Sequence, residues 1–137
     1  MKRRKFIAVM ASLPVLGVAP GLIRQGHGAE NPAWLRPPDH PEGRACWKRA
    51  MAGDAESQFD LAIGYEIGVG APVDLRCATY WLHRAAINGV PEAQAYLGHK
   101  YRTGHHFPAS PTRAAYWLRR AAAQGEPIAR WEAGKLP

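Results

Sequence analysis

Apolar and polar positions between residues 54 and 134 follow a helical period, in short blocks closed by glycine. Phe59, Ala62, Ile63 and Ile67 fall three and four residues apart, the spacing of one face of an α-helix. The pattern predicts a helix over about 54–67, with Asp54 as N-cap and Gly68 and Gly70 as its left-handed stop. A second helix runs from the cap Asp74 to about residue 88 and ends at Gly89. In the next block Pro91 suits a first helical turn and Gly104 ends that helix. Ser110-Pro111 then gives an N-cap followed by a first-turn proline, and the helix after it stops at Gly125. Upstream, Asp39-His40-Pro41-Glu42 reads as a capping box opening a helix to about Ala52. Downstream, Pro127 to about Gly134 reads as a truncated helix, which brings the total to about six.

The blocks are copies of one another. Gly53, Gly89 and Gly125 are spaced by 36 residues, and a fixed period of that size marks a repeat architecture. Residues 53–88 aligned without a gap on 89–124 agree at 14 of 36 positions. The matches include Glu56/Glu92, Gln58/Gln94, Leu61/Leu97, Tyr65/Tyr101 and Gly68/Gly104. They are densest in Ala-x-Tyr-Trp-Leu-x-Arg-Ala-Ala, which starts at Ala78 and again at Ala114. Lys48 to Gly53 lines up loosely with Arg84 to Gly89, so a lone second-type helix precedes the two full units. The repeated alanines allow close helix approach, and Trp81 and Trp117 are expected to be buried between layers.

Leu61, Tyr65, Gly68, Ala78, Trp81, Leu82, Ala85, Ala86 and Gly89, with the same set 36 residues on, resemble the Sel1-like repeat, a relative of the tetratricopeptide repeat. The resemblance covers about 53–134. It departs in one loop: Gly-x-Gly-x-x-x-Asp from Gly68 to Asp74 becomes Gly104-His105-His106-Phe107-Pro108-Ala109-Ser110. It implies an all-α fold, a short right-handed α-solenoid of antiparallel helix pairs. It also implies a concave face lined by the first helix of each pair, which tetratricopeptide relatives use for peptides.

Charge changes the picture only at the N-terminus. The formal net charge is +7, but Lys2, Arg3, Arg4, Lys5 and Arg24 precede the first acid, Glu30. Without those five, 13 basic residues face 11 acidic ones. A polyanion-binding body needs a concentrated positive face, so no nucleic-acid partner is expected. Residues 1–5 carry four positive charges and residues 6–23 none, the layout of an export signal. Arg3-Arg4-Lys5-Phe6-Ile7 resembles the twin-arginine signal, with Lys2 where Ser or Thr usually stands. Cleavage before Ala29 would leave a periplasmic or otherwise exported protein. The alternative is an uncleaved anchor, since 18 uncharged residues reach the lower limit of a span. The organisation expected is an export signal over 1–28, a Pro-rich extended tether over 29–41 and a helical-repeat domain over 42–137.

Candidate chemistry is sparse. His99, His105 and His106 lie within eight residues, but His99 and His105 straddle the helix end at Gly104, and no metal site is assigned. Cys46 and Cys77 could pair after export, or be two small apolar side chains or an exposed thiol. Ser12, Ser57 and Ser110 have no Lys three residues on, and no Gly-x-Ser-x-Gly elbow exists. Some cysteine-rich relatives of the repeat family are β-lactamase-like, which leaves a hydrolase as the least favoured reading. No catalytic residue and no cofactor are expected.

The reading is therefore a protein- or peptide-binding scaffold, with an accessory subunit of a larger envelope or respiratory complex as the alternative. Residues of the first-type helices off the repeated packing face are expected to point into the groove: Glu56, Phe59, Ile63 and Glu66, then Glu92, Ala95, His99 and Arg102. Trp131 would extend it in the last helix.

Overall fold

The computed structural model describes residues 31–136. The export-signal reading, with Arg3, Arg4 and Phe6, lies outside those residues. Contacts divide the chain after Arg36. The described part of the first unit, residues 31–36, makes a turn in which the Leu35 amide donates to the Pro32 carbonyl at 2.7 Å.

The second unit is all-α among the described residues, with six helices: α1 (Pro41–Met51), α2 (Ala55–Ile67), α3 (Leu75–Ile87), α4 (Pro91–Thr103), α5 (Pro111–Ala123) and α6 (Pro127–Ala133). Each packs on its neighbours in the chain, so α2–α3 and α4–α5 are the two full pairs and α1 and α6 flank them. No described helix is long and apolar enough to cross a membrane.

Local chemistry sets the helix ends. Asp54 accepts from the Ser57 amide at 3.1 Å, Asp74 from the Arg76 and Cys77 amides at 3.0 Å, and Ser110 from the Arg113 amide at 3.4 Å. Each fills one or two of the donors that a helix start leaves unpaired. Gly68 and Gly104 close α2 and α4 with φ of 80° and 73°, a left-handed conformation that disfavours side chains. The pair loops are held alike, since Asp74 and Ser110 donate their amides to the Tyr65 and Tyr101 carbonyls at 2.8 and 2.9 Å.

The capping box expected at Asp39–Glu42 does not form. Pro41 takes the first helical position, which makes His40 the N-cap, and its side chain makes no cap bond. Asp39 instead lies 3.9 Å from Arg44 on the surface.

The core runs along the repeat axis through Leu61, Tyr65, Trp81, Leu82, Leu97, Tyr101 and Leu118, with alanines between them. Trp81 is fully buried, edge-on to Trp47 of α1 at 5.3 Å between ring centroids. Trp117 is only half-buried, so the expectation of two equivalent rings is corrected. The position 36 residues after Trp47 is His83, whose smaller ring faces Tyr101 and Phe107.

Candidate functional site

The first-type helices α2, α4 and α6 carry the residues expected to line a groove, and the structure sorts them into two groups. Glu56 and Glu92 sit exposed in the first turns of α2 and α4. Phe59 and Ile63 are half-buried. Ile63 lines a cleft of 340 Å³ between α1 and α2, together with Cys46, Leu61, Ile67 and Val69. Arg49, Asp60 and Glu42 add charge to its lining. Ile67 and Val69 are 63% and 66% exposed, so the cleft has an apolar rim open to solvent.

The second group spans α4 and its neighbours. Glu66 of α2 is almost covered and accepts from Lys100 Nζ at 2.6 Å, while the Tyr96 hydroxyl shares the same carboxylate. Burial, and then the Glu66 charge, pushes the Tyr96 pKa up. Further along, Glu132 of α6 is 4% exposed and receives His99 Nδ1 at 2.9 Å and Arg102 Nη2 at 3.2 Å. Burial alone would raise the Glu132 pKa, but the bonds from His99 and Arg102 outweigh it and hold the carboxyl below the usual glutamate range. His99 and Arg102, expected to face a groove, are both engaged by this carboxylate of α6. Trp131 joins Arg102 and Glu132 around a 150 Å³ hollow, and Lys135 Nζ stands 3.2 Å from its ring centroid.

Ala95 is corrected outright. It is buried, because α4 is covered on nearly every side: Ala93, Gln94, Leu97, Gly98, Lys100 and Tyr101 are buried with it. The central helix of so short an array has little free face.

The cysteine pairing left open by the sequence is not formed. No disulfide joins the two residues; Cys77 is buried and Cys46 half-buried. Cys46 Sγ donates to the Ser57 carbonyl oxygen at 3.3 Å, across to the start of α2. Burial, reinforced by Asp60, pushes its pKa above the ordinary thiol value, and a protonated thiol is a poor nucleophile. Ser57 is equally committed: its hydroxyl donates to Asp54 and accepts from Arg49 Nε at 3.1 Å.

Sequence reasoning did not find Glu132, Lys100 or Tyr96. It also did not find a cluster in the departing loop: donor atoms of Glu66, His105 and His106 lie within 4.8 Å of one another. The one available signal was the histidine pair, read together with His99 rather than with a glutamate 39 residues upstream.

The Sel1 repeat profile matches residues 55–90 and 91–126. A crystal structure of a Sel1 repeat protein from Oxalobacter formigenes superposes with a TM-score of 0.65 at 35% identity, over 66% of this chain and 68% of that one. A search of the curated proteins finds no significant match. Two matched repeats, the helix pairs they predict and a solved relative with the same architecture lead to one conclusion: the chain belongs to the Sel1 repeat family.

Proposed function

We propose that this Sel1-repeat chain is an exported scaffold for a protein or peptide partner, and that the partner seats an apolar side chain in the α1–α2 cleft. Sel1 repeat proteins commonly bind proteins. The observation that carries the choice of surface is the cleft itself: 340 Å³, lined by Leu61, Ile63, Ile67 and Val69, with two of those side chains left largely in water. Burying them on a partner is favourable by about 25 cal/mol per Å² of apolar surface. The charges of Glu42, Asp60 and Arg49 would orient what enters. The ion-paired face of α4 and α6 is the weaker candidate, since His99 and Arg102 would have to surrender Glu132.

The cleft is tested by Ile63→Asp in the full chain, expressed in its native envelope. One stoichiometric partner retained by the wild type and lost by the variant, with helicity unchanged, supports the reading. Undiminished capture by a folded variant moves the site elsewhere. Export is tested separately with Arg3 and Arg4 both changed to Lys. The proposal expects the double variant to stay in the cytoplasm, and normal export would remove the twin-arginine route.

A further inference from the structure

Glu66, His105 and His106 belong to different elements, α2 and the α4–α5 loop, yet their donor atoms converge to within 4.8 Å of one another. Glu66 Oε1 and His106 Nδ1 are 4.0 Å apart. The two imidazoles lie side by side with centroids separated by 3.8 Å. A single ion about 2 Å from each donor requires separations of about 3–4 Å, which small side-chain rotations reach from here.

The backbone supplies a second, independent observation. His106 has φ of 64° and is the only non-glycine with positive φ among the described residues. The same position of the first repeat is Gly70, with φ of 76°. The loop demands a left-handed residue there, and the first repeat meets the demand with glycine. The second holds a histidine in that conformation, at a cost in strain. Strain of this kind concentrates where a side chain is needed for a task, and the imidazole so placed faces Glu66.

We propose that Glu66, His105 and His106 form a site for a divalent transition-metal ion of the imidazole-preferring class, such as Zn²⁺. Two imidazoles and one carboxylate suit such ions and not Mg²⁺ or Ca²⁺. Lys100 and Tyr96 hold the carboxylate in place, as outer partners do around metal ligands. A carboxylate offers about four acceptor positions, so Lys100 does not exhaust it. Its ammonium does repel a metal ion, which makes the site reversible rather than structural. A hollow of 10 Å³ bounded by Glu66, Thr79, Lys100 and His106 has room for about one water as a further ligand. Binding would tie α2 to the loop of the next repeat.

The experiment uses the full chain without a polyhistidine tag, with Zn²⁺ alone as probe. Competition with a chromophoric zinc indicator at pH 7.5 is expected to show one ion per chain and a raised melting temperature. His106→Gly and His105→Ala are each expected to weaken binding by at least about tenfold, the scale on which disturbing a metal shell acts. The metal-free His106→Gly chain should melt no lower than wild type, because glycine suits the left-handed position; that separates a lost ligand from a lost fold. Absence of zinc binding by wild type overturns the proposal. So does binding by both variants as tight as that of wild type, which would place the ion on other residues.

Discussion

Gln58 and Gln94, 36 residues apart, make the same bonds in successive repeats. Each donates through Nε2 to a carbonyl near the end of the preceding helix, Gln58 to Ala50 at 3.1 Å and Gln94 to Ala86 at 3.0 Å. Each then accepts through Oε1 from the residue that closes the following helix, Asn88 at 2.7 Å and Gln124 at 2.8 Å. Both glutamines are fully buried. A buried amide with its bonds made clasps three consecutive helices; the same amide without them would be a liability.

Replacing Gln58 or Gln94 by Leu keeps the volume and removes the clasp. The Ala50 and Ala86 carbonyls still accept from the Gly53 and Gly89 amides, so they are not orphaned. Two lost bonds of ordinary strength then predict a destabilisation of about 1–3 kcal/mol in each variant. Urea unfolding monitored by helicity checks it, and the two values should agree closely, since the geometry is the same. A neutral result at either position would mean that the clasp adds nothing to apolar packing there.

The two repeated tryptophans should behave differently. Trp81 is wholly enclosed, and its Nε1 has no hydrogen-bond partner among the described residues; packing, edge-on contacts with Trp47 and Tyr80, and the Arg84 guanidinium 5.6 Å from a ring centroid hold the ring. Trp81→Ala is expected to cost about 3–5 kcal/mol, the range for large aromatic truncations in a core. Trp117→Ala should cost distinctly less, because the ring is partly exposed to solvent. Equal losses of melting temperature in the two variants would contradict the difference in burial.

What could be read from the chain was whatever acts locally or repeats. Asp54, Asp74 and Ser110 announced their helix starts because a cap needs only its own next three residues. Gly68 and Gly104 announced the stops for the same reason. The Asp39–Glu42 box misled because Pro41 competes for the first helical position, and the local pattern does not say which signal prevails. The cross-helix ion pairs were hidden by their irregularity. Residues 66 and 96 are Glu and Tyr, while the equivalent 102 and 132 are Arg and Glu. The two repeat junctions therefore use the same positions with different charges, and a search for repetition discards such residues. Gln58 and Gln94 were visible as repeats, but only the structure shows which carbonyls they reach.

The α4–α6 junction should respond to acid. The Glu132 carboxyl is depressed below its ordinary value of 4.5, so the folded chain binds its proton less readily than the unfolded one. The stability it contributes is present above that ordinary value and is lost as the pH falls through the lower, folded value. Glu132→Gln should therefore be less stable than wild type at neutral pH, and the difference should shrink below about pH 4.5. Melting temperatures of both proteins between pH 3 and 7 decide it. Parallel curves would show that Glu132 is not what weakens the junction.

Gly98 and Leu118 set how closely α4 and α5 approach. A β-carbon at Gly98 would stand 2.7 Å from Leu118 Cγ and 3.1 Å from its amide nitrogen, nearer than non-bonded atoms tolerate. The first repeat has Ala62 at the equivalent position, buried on its own partner helix, so the second pair uses glycine to close a gap that the first leaves for a methyl group. Gly98→Ala forces Leu118 or the helix itself to move. The helical preference for alanine works in the opposite direction, by up to about 1 kcal/mol, while overpacking a tight contact costs about 1–3 kcal/mol. The net expectation is destabilisation. Leu118→Ala alone should cost about 2–5 kcal/mol, as a buried leucine truncation does. The double variant should be more stable than the sum of the two changes predicts, because the smaller residue at 118 makes room for the new methyl group. A double-mutant cycle by chemical denaturation measures that coupling. Strict additivity would show that the backbone, not the leucine side chain, limits the approach, and the amide nitrogen at 3.1 Å would then be the contact that matters.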